Sequence, residues 1–220
     1  MQQIIQTSEQ KFILAETSSR PVTGLPDITL HIADESLPLW QKTENYLGKT
    51  GMPPPFWAFA WPGGIALSRF ILDNPEWVQG RYVLDFACGT GLVGIAAKKA
   101  GAARVLSCDI DPLAIAATEI NAHANAVYLE TLCGDIIGLD DGWDTVLVAD
   151  ICYERDTAAR VMDWLQIIQK RGTDILIGDP GRTYLPKEKL IKIASYDIPV
   201  NLDLENSEIK NTGIWNLAEL

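Results

Sequence analysis

Val83-Leu84-Asp85-Phe86-Ala87-Cys88-Gly89-Thr90-Gly91-Leu92-Val93-Gly94 is followed, one short helical stretch later, by Val105-Leu106-Ser107-Cys108-Asp109. The first apolar run reads as a buried strand, the glycines as a tight turn, the residues after Gly91 as a helix, and the second run as another strand. An acid closes that second strand, twenty residues after Gly89. This is the layout of a nucleoside-binding βαβ unit, in which the turn approaches the ligand closely and the second-strand carboxylate accepts hydrogen bonds from ribose hydroxyls. The expected ligand is an adenosine cofactor, with Asp109 on its ribose.

Gly89-x-Gly91-x-x-Gly94 also satisfies the dinucleotide pattern, so the spacing alone admits both a nicotinamide cofactor and S-adenosylmethionine. Asp85 separates the two. A dinucleotide turn must receive a pyrophosphate at a helix N-terminus, and a carboxylate beneath it would repel phosphate. S-adenosylmethionine has no phosphate and presents an ammonium, which an acid at the end of the first strand would attract.

The chain has 220 residues, enough for one α/β domain and a modest addition, but not for a second substrate domain of ordinary size. Apolar residues make up 47% of it, ample for a core, and no run is long enough to span a bilayer. The N-terminus carries no export or organelle pattern, and Cys88, Cys108, Cys133 and Cys152 lack metal-ligand spacing. The expectation is a cytoplasmic protein with reduced thiols and no metal. His123 reads as an ordinary helix residue. A net charge of −11 argues against nucleic acid and suits a basic partner.

Residues 1–50 form an N-terminal cap or extension, with a strand at Ile28-Thr29-Leu30-His31-Ile32 and a short helix at 36–46. Gly51-Met52-Pro53-Pro54-Pro55 reads as a hinge into a catalytic domain at 51–220, which opens with a helix at 65–72. After Gly80 the pattern predicts strands at 81–86, 104–109, 127–131, 144–150 and 173–178, with helices at 91–100, 112–124 and 155–171. Residues 191–198 and 213–217 predict a closing hairpin at one sheet edge. Seven strands, mostly parallel and ending in an antiparallel hairpin, resemble the Rossmann-like class I methyltransferase fold.

In an open α/β sheet the ligand lies over the carboxyl ends of the strands. Those tips offer Asp85, Ala87, Gly89 and Gly91, then Asp109 and Ile110, then Asp135 and Ile136, and finally Ala149 beside Asp150. Asp135 is expected to accept from the adenine amine while Ile110 and Ile136 sandwich the ring. At the fourth tip, Asp150-Ile151-Cys152-Tyr153 stands where a methyl acceptor would sit. The carboxylate suits a cationic amine, and the aromatic face can hold an ammonium.

With Pro54-Pro55-Phe56-Trp57-Ala58-Phe59-Ala60-Trp61-Pro62-Gly63-Gly64 and Ile177-Gly178-Asp179-Pro180-Gly181-Arg182, these motifs resemble the lysine methyltransferases of the electron transfer flavoprotein beta subunit. That family lies within the seven-strand protein-lysine methyltransferases with a D-x-x-Y motif. The resemblance implies S-adenosylmethionine as methyl donor, held by Trp61 and the glycine turn, and a protein substrate whose lysine meets Asp150 and Tyr153. Ala87 departs from the glycine usual at the start of the turn. Asp179 and Arg182 read as an ion pair within their loop. Small-molecule N-methylation is the alternative activity.

Overall fold

The computed structural model describes residues 7–34, 36–48, 54–200 and 208–218. In chain order, the N-terminal elements are α1 (Ser8–Glu16), β1 (Ser18–Val22), β2 (Leu25–Ile32) and α2 (Ser36–Leu47). They are followed by α3 (Pro62–Asp73), β3 (Tyr82–Phe86), α4 (Leu92–Lys99), β4 (Arg104–Asp109), α5 (Pro112–Ala124) and β5 (Glu130–Cys133). The chain continues through β6 (Thr145–Ala149), α6 (Arg155–Gln169), β7 (Asp174–Asp179), β8 (Leu190–Pro199) and β9 (Ile209–Leu217). The expected hinge lies in part, at 51–53, outside the described residues.

Seven strands form one sheet in the order β5-β4-β3-β6-β7-β9-β8. The first five are parallel; β9 enters antiparallel between β7 and β8. The predicted closing hairpin is present and β8 forms the sheet edge. Strand order reverses between β3 and β6, which makes their carboxyl ends the place for a ligand crevice.

Central strands covered on both faces need apolar side chains throughout. Val83, Leu84, Val146, Leu147, Val148, Ile175, Leu176 and Ile177 are all inaccessible to solvent. One face carries the cluster of α3 and α4 (Ile65, Leu67, Ile71, Val93, Ile95), which Val22, Leu25, Ile28 and Leu30 of the N-terminal hairpin join. The other face packs on α6 through Val161, Leu165 and Ile168. The hairpin is also tied to α5: Asn121 Oδ1 accepts from His31 N–H at 2.7 Å, and Asn125 bonds both backbone groups of Thr29.

Two departures from the sequence expectation have local causes. The strand expected at 127–131 begins at Glu130, because Ala126 takes a positive φ of 54° and Val127 N–H closes back on Ala122 O at the end of α5. The apolar alternation of Val127 and Leu129 is therefore spent on the turn out of a helix. Helix α1 and strand β1 had no sequence assignment. The helix starts with a capping box, in which Thr7 accepts from Gln10 N–H and Gln10 accepts from Thr7 N–H, and Gly24 at φ 80° turns β1 into β2. Among the described residues no helix is long and apolar enough to cross a membrane.

Candidate active site

The half of the site over β3 and β4 is built from backbone. Gly91 is the N-cap of α4 at φ 76°, and a Cβ there would sit 2.8 Å from Thr118 of α5, so both conformation and space require glycine. Gly94, one turn on, meets the strands: a Cβ would lie 2.5 Å from Ser107 Oγ and 2.7 Å from Asp85 Oδ2. From behind, α5 grips the turn through Asn121 Nδ2 to Thr90 O (2.9 Å) and Thr118 Oγ1 to Gly89 O (3.4 Å).

Asp109 closes β4 and braces the turn's rim. Its Oδ2 accepts from Gly89 N–H at 3.0 Å and its Oδ1 from Asp111 N–H at 3.0 Å. Burial raises its carboxyl pKa. Ile110, next to it, is 74% exposed. An apolar side chain standing in solvent beside an oriented carboxylate fits a nucleoside, with the ring on one and the ribose on the other.

Asp85 takes a different position from the one expected. It lies under the turn, 2% exposed, with Oδ2 accepting from Gly94 N–H (3.0 Å) and Ser107 Oγ–H (3.1 Å). These contacts give it a positioning role, fastening α4 to β3 and β4. Burial pushes its carboxyl up to about 7. Two further tip residues have partners within the protein. Asp135 is ion-paired at 2.8 Å with Arg160 of α6, which lowers its carboxyl pKa, and Ile136 is buried in the cluster of Trp143 and Trp164. Pairing across 25 residues and burial under α6 are tertiary outcomes that strand-tip logic does not contain.

The half over β6 and β7 is assembled from three distant segments. Asp150 follows β6 at φ 52°; Ala87, after β3, has φ 55°. Side chains pay about 1–3 kcal/mol for such backbone, and the two strained positions follow adjacent strands at the crevice. Ala149 ends β6 directly behind Gly64 of α3, whose Cβ would touch it at 4.0 Å.

Both Asp150 oxygens are gripped. Oδ2 accepts from Gly64 N–H at 3.0 Å, in the first turn of α3, where the helix dipole favours an anion. Oδ1 accepts from Arg182 Nη2 at 3.0 Å. The side chain is 11% exposed, and burial pushes its carboxyl up to about 7, with Arg182 pulling the other way. Arg182 thus reaches Asp150, whereas the sequence suggested a pair with Asp179. Asp179 instead accepts the Gly181 and Arg182 backbone N–H groups on Oδ1, both at 2.7 Å, and folds the loop that delivers the guanidinium.

The two glycine-rich motifs are halves of one clamp. A Cβ on Gly63 would collide with Gly178 O and Asp150 Oδ2, and one on Gly178 would collide with Gly63 O. Only bare backbone lets α3 start against the end of β7, and that approach puts Gly64 N–H on Asp150. An aromatic arm adjoins the clamp: Tyr153 tilts against Phe56 (5.2 Å), Phe56 against Trp61 (5.8 Å), and Arg182 lies 5.8 Å over Trp61. Trp61 Nε1–H donates to Phe56 O at 2.9 Å. Tyr153, three residues after Asp150, is 47% exposed. A separate cavity of about 210 Å³ lies against Trp61 and Phe59, lined also by Arg20 and Asp34 from the N-terminal hairpin.

Glycine turn, strand order and acidic tips define a class I methyltransferase. Of solved structures, the chain resembles magnesium protoporphyrin IX methyltransferase from Synechocystis with bound SAM, at a TM-score of 0.52 and 15% identity over 70% of this chain and 78% of that one. Residues 67–171 match the family model of ribosomal protein L11 methyltransferase (PrmA). The electron transfer flavoprotein beta subunit lysine methyltransferase of Xenopus laevis is 37% identical, covering 96% of this chain and 87% of its own. The Homo sapiens enzyme of that name is 36% identical, covering 90% and 77%. The chain belongs to the electron transfer flavoprotein beta subunit lysine methyltransferase family, and is an S-adenosylmethionine-dependent protein-lysine methyltransferase.

Proposed function

We propose that this enzyme methylates lysine side chains of the electron transfer flavoprotein beta subunit, the substrate in its relatives' names, with Asp150 and Tyr153 receiving the acceptor amine. The observation that carries the reading is the buried, doubly gripped Asp150 carboxylate, one strand from the glycine turn and three residues before a half-exposed tyrosine. The chain's acidity suits a lysine-bearing surface. Four free thiols support a reducing compartment, the cytoplasm by the sequence reading.

Trp61, Ala87, Gly89, Gly91, Asp109, Ile110 and Ala149 would hold S-adenosylmethionine, which supplies a methyl group activated on a sulfonium. The protein's own work is alignment and a dry approach. Asp150 fixes the direction of the amine lone pair by hydrogen bonding, and the rings of Tyr153 and Phe56 exclude water. Protonation is the obstacle: a free lysine of pKa about 10.4 is neutral in less than about one molecule in a thousand at pH 7, a penalty of roughly 4–5 kcal/mol. Desolvation at this wall favours the neutral amine, and the proton leaves to water.

Incubation with labelled S-adenosylmethionine and a cell extract, followed by mass spectrometry of the labelled band, tests the reading. Label on lysines of the beta subunit is expected. Label confined to low-molecular-weight material would replace it with small-molecule N-methylation.

A further inference from the structure

A carboxylate that captures a lysine creates a chemical difficulty, since a nearby anion favours the ammonium form, which has no lone pair to attack with. The structure contains an answer in a residue that the D-x-x-Y motif does not include. Arg182 is placed with care. Asp179 fixes its backbone N–H, Gly181 turns the loop at φ 86°, and the guanidinium lies between the Trp61 ring and Asp150 Oδ1. Its side chain is 20% exposed, so the charge pair is shielded from water on most sides. An arginine stays charged at any working pH and offers several donors from a planar group, so it can hold a carboxylate oxygen without losing its own proton.

Resting on Asp150 as the receiver of the acceptor amine, we propose that Arg182 is a positioning residue of the reaction: its guanidinium fixes Asp150 and offsets its charge, so that the amine is hydrogen-bonded without being held as ammonium.

The groups facing this point define the balance. Asp150 meets Gly64 N–H and Arg182; Asp179, on the neighbouring tip, adds a second carboxylate, whose Oδ2 is buried without a hydrogen-bond partner. Lys187 faces Asp179 from the loop before β8, Cys152 lies close to both acids, and Tyr153 is influenced by Glu154 and Asp109. Burial raises the pKa of Asp150 and Asp179 alike, and in each case Arg182 opposes the rise. Asp150 and a bound amine would share protons and titrate as a pair. Without Arg182, the pair keeps its last proton to higher pH.

The test is kcat, with saturating purified electron transfer flavoprotein beta subunit as substrate, against pH from about 6 to 10 for the wild type, Arg182→Gln and Arg182→Lys. Arg182→Gln is expected to move the rising limb of the profile upward by about 1–3 pH units. Its rate should fall at least about tenfold at pH 7 and recover at high pH. Arg182→Lys should restore the wild-type shape. Unchanged S-adenosylhomocysteine affinity would show that each variant is folded. A loss of equal factor at every pH, or no loss, overturns the inference. Should Arg182→Gln not fold, a profile displaced by a pH unit or more in Arg182→Lys overturns it instead. Asp150→Asn in the same assay separates the two levels. If that variant keeps its turnover, the assignment of Asp150 falls and this inference with it. If it is inactive while the Arg182→Gln and wild-type profiles superimpose, Arg182 alone loses its role.

Discussion

The cofactor half and the acceptor half of the crevice are built by opposite means. Over β3 and β4, one contiguous stretch from Asp85 to Gly94 supplies the turn, and the oriented groups are mostly backbone, braced by Asp109, Thr118 and Asn121. Over β6 and β7, nothing contiguous suffices. Gly63 and Gly64, Asp150 and Tyr153, and Gly178 through Arg182 come together from three places, and the oriented groups are charged side chains. Local backbone chemistry makes a site for a part common to many methyltransferases. Tertiary convergence makes the part proposed to receive the acceptor.

The contrast predicts different failures for the two halves. The largest effect belongs to Asp150→Asn: turnover should fall by about 10²–10³, while calorimetric affinity for S-adenosylhomocysteine stays within about threefold. A parallel loss of cofactor affinity would show that the halves are not separable. Gly63→Ala comes next, because its Cβ meets backbone on β7 and cannot be relieved by a rotamer. It should cost about 3 kcal/mol of stability by denaturant titration, at the upper end of overpacking penalties, and lower turnover. An unaffected midpoint would mean that the clamp is loose.

How far the sequence revealed each half follows from the same contrast. The glycine turn, Asp109 and the strand alternation were readable because a residue's neighbours in sequence are its neighbours in space. The motif marks Asp150 and Tyr153 as candidates but does not disclose the grip on Asp150, since Arg182 lies 32 residues away and the Asp179-Pro180-Gly181-Arg182 spacing suggests a pair within its own loop. Two glycine clusters, at 63–64 and at 178 and 181, were the available signal that two backbones meet. Strand-end position cannot distinguish an acid above the turn from one beneath it, which is why the sequence points to Asp85 as a rim carboxylate. Ile136 and Asp135 are engaged by α6, whose register against the sheet no local pattern encodes.

A smaller effect sharpens the cofactor side. Asp85 has an ordinary carboxyl value of 3.8 and one of about 7 in the fold. The folded state therefore binds the extra proton between these values, so this contribution to stability is full below about pH 4 and is lost as pH rises through about 7. Asp150 adds a contribution of the same sign. Each pH unit between the two values is worth about 1.4 kcal/mol for a single group, so the urea midpoint of the cofactor-free protein should fall as pH rises from about 4 to about 7. Asp85→Asn should flatten the fall; an unaltered slope would remove Asp85 from the account. The smallest effect is that of Tyr153→Phe, which keeps the ring against Phe56. A turnover change below about fivefold is expected, since removing one partly solvated hydroxyl contact is worth about 0.5–1 kcal/mol; a hundredfold loss would give the hydroxyl a part in the chemistry.

The central claim is that the donor lies over the tips of β3 and β4 with its reactive end toward Asp150. A crystal structure with S-adenosylhomocysteine tests it directly. The prediction is ribose hydroxyls on Asp109, the purine against Ile110, and the sulfur facing the Asp150–Tyr153 wall. Binding in the cavity between Trp61 and Arg20, or a sulfur turned away from Asp150, would contradict it.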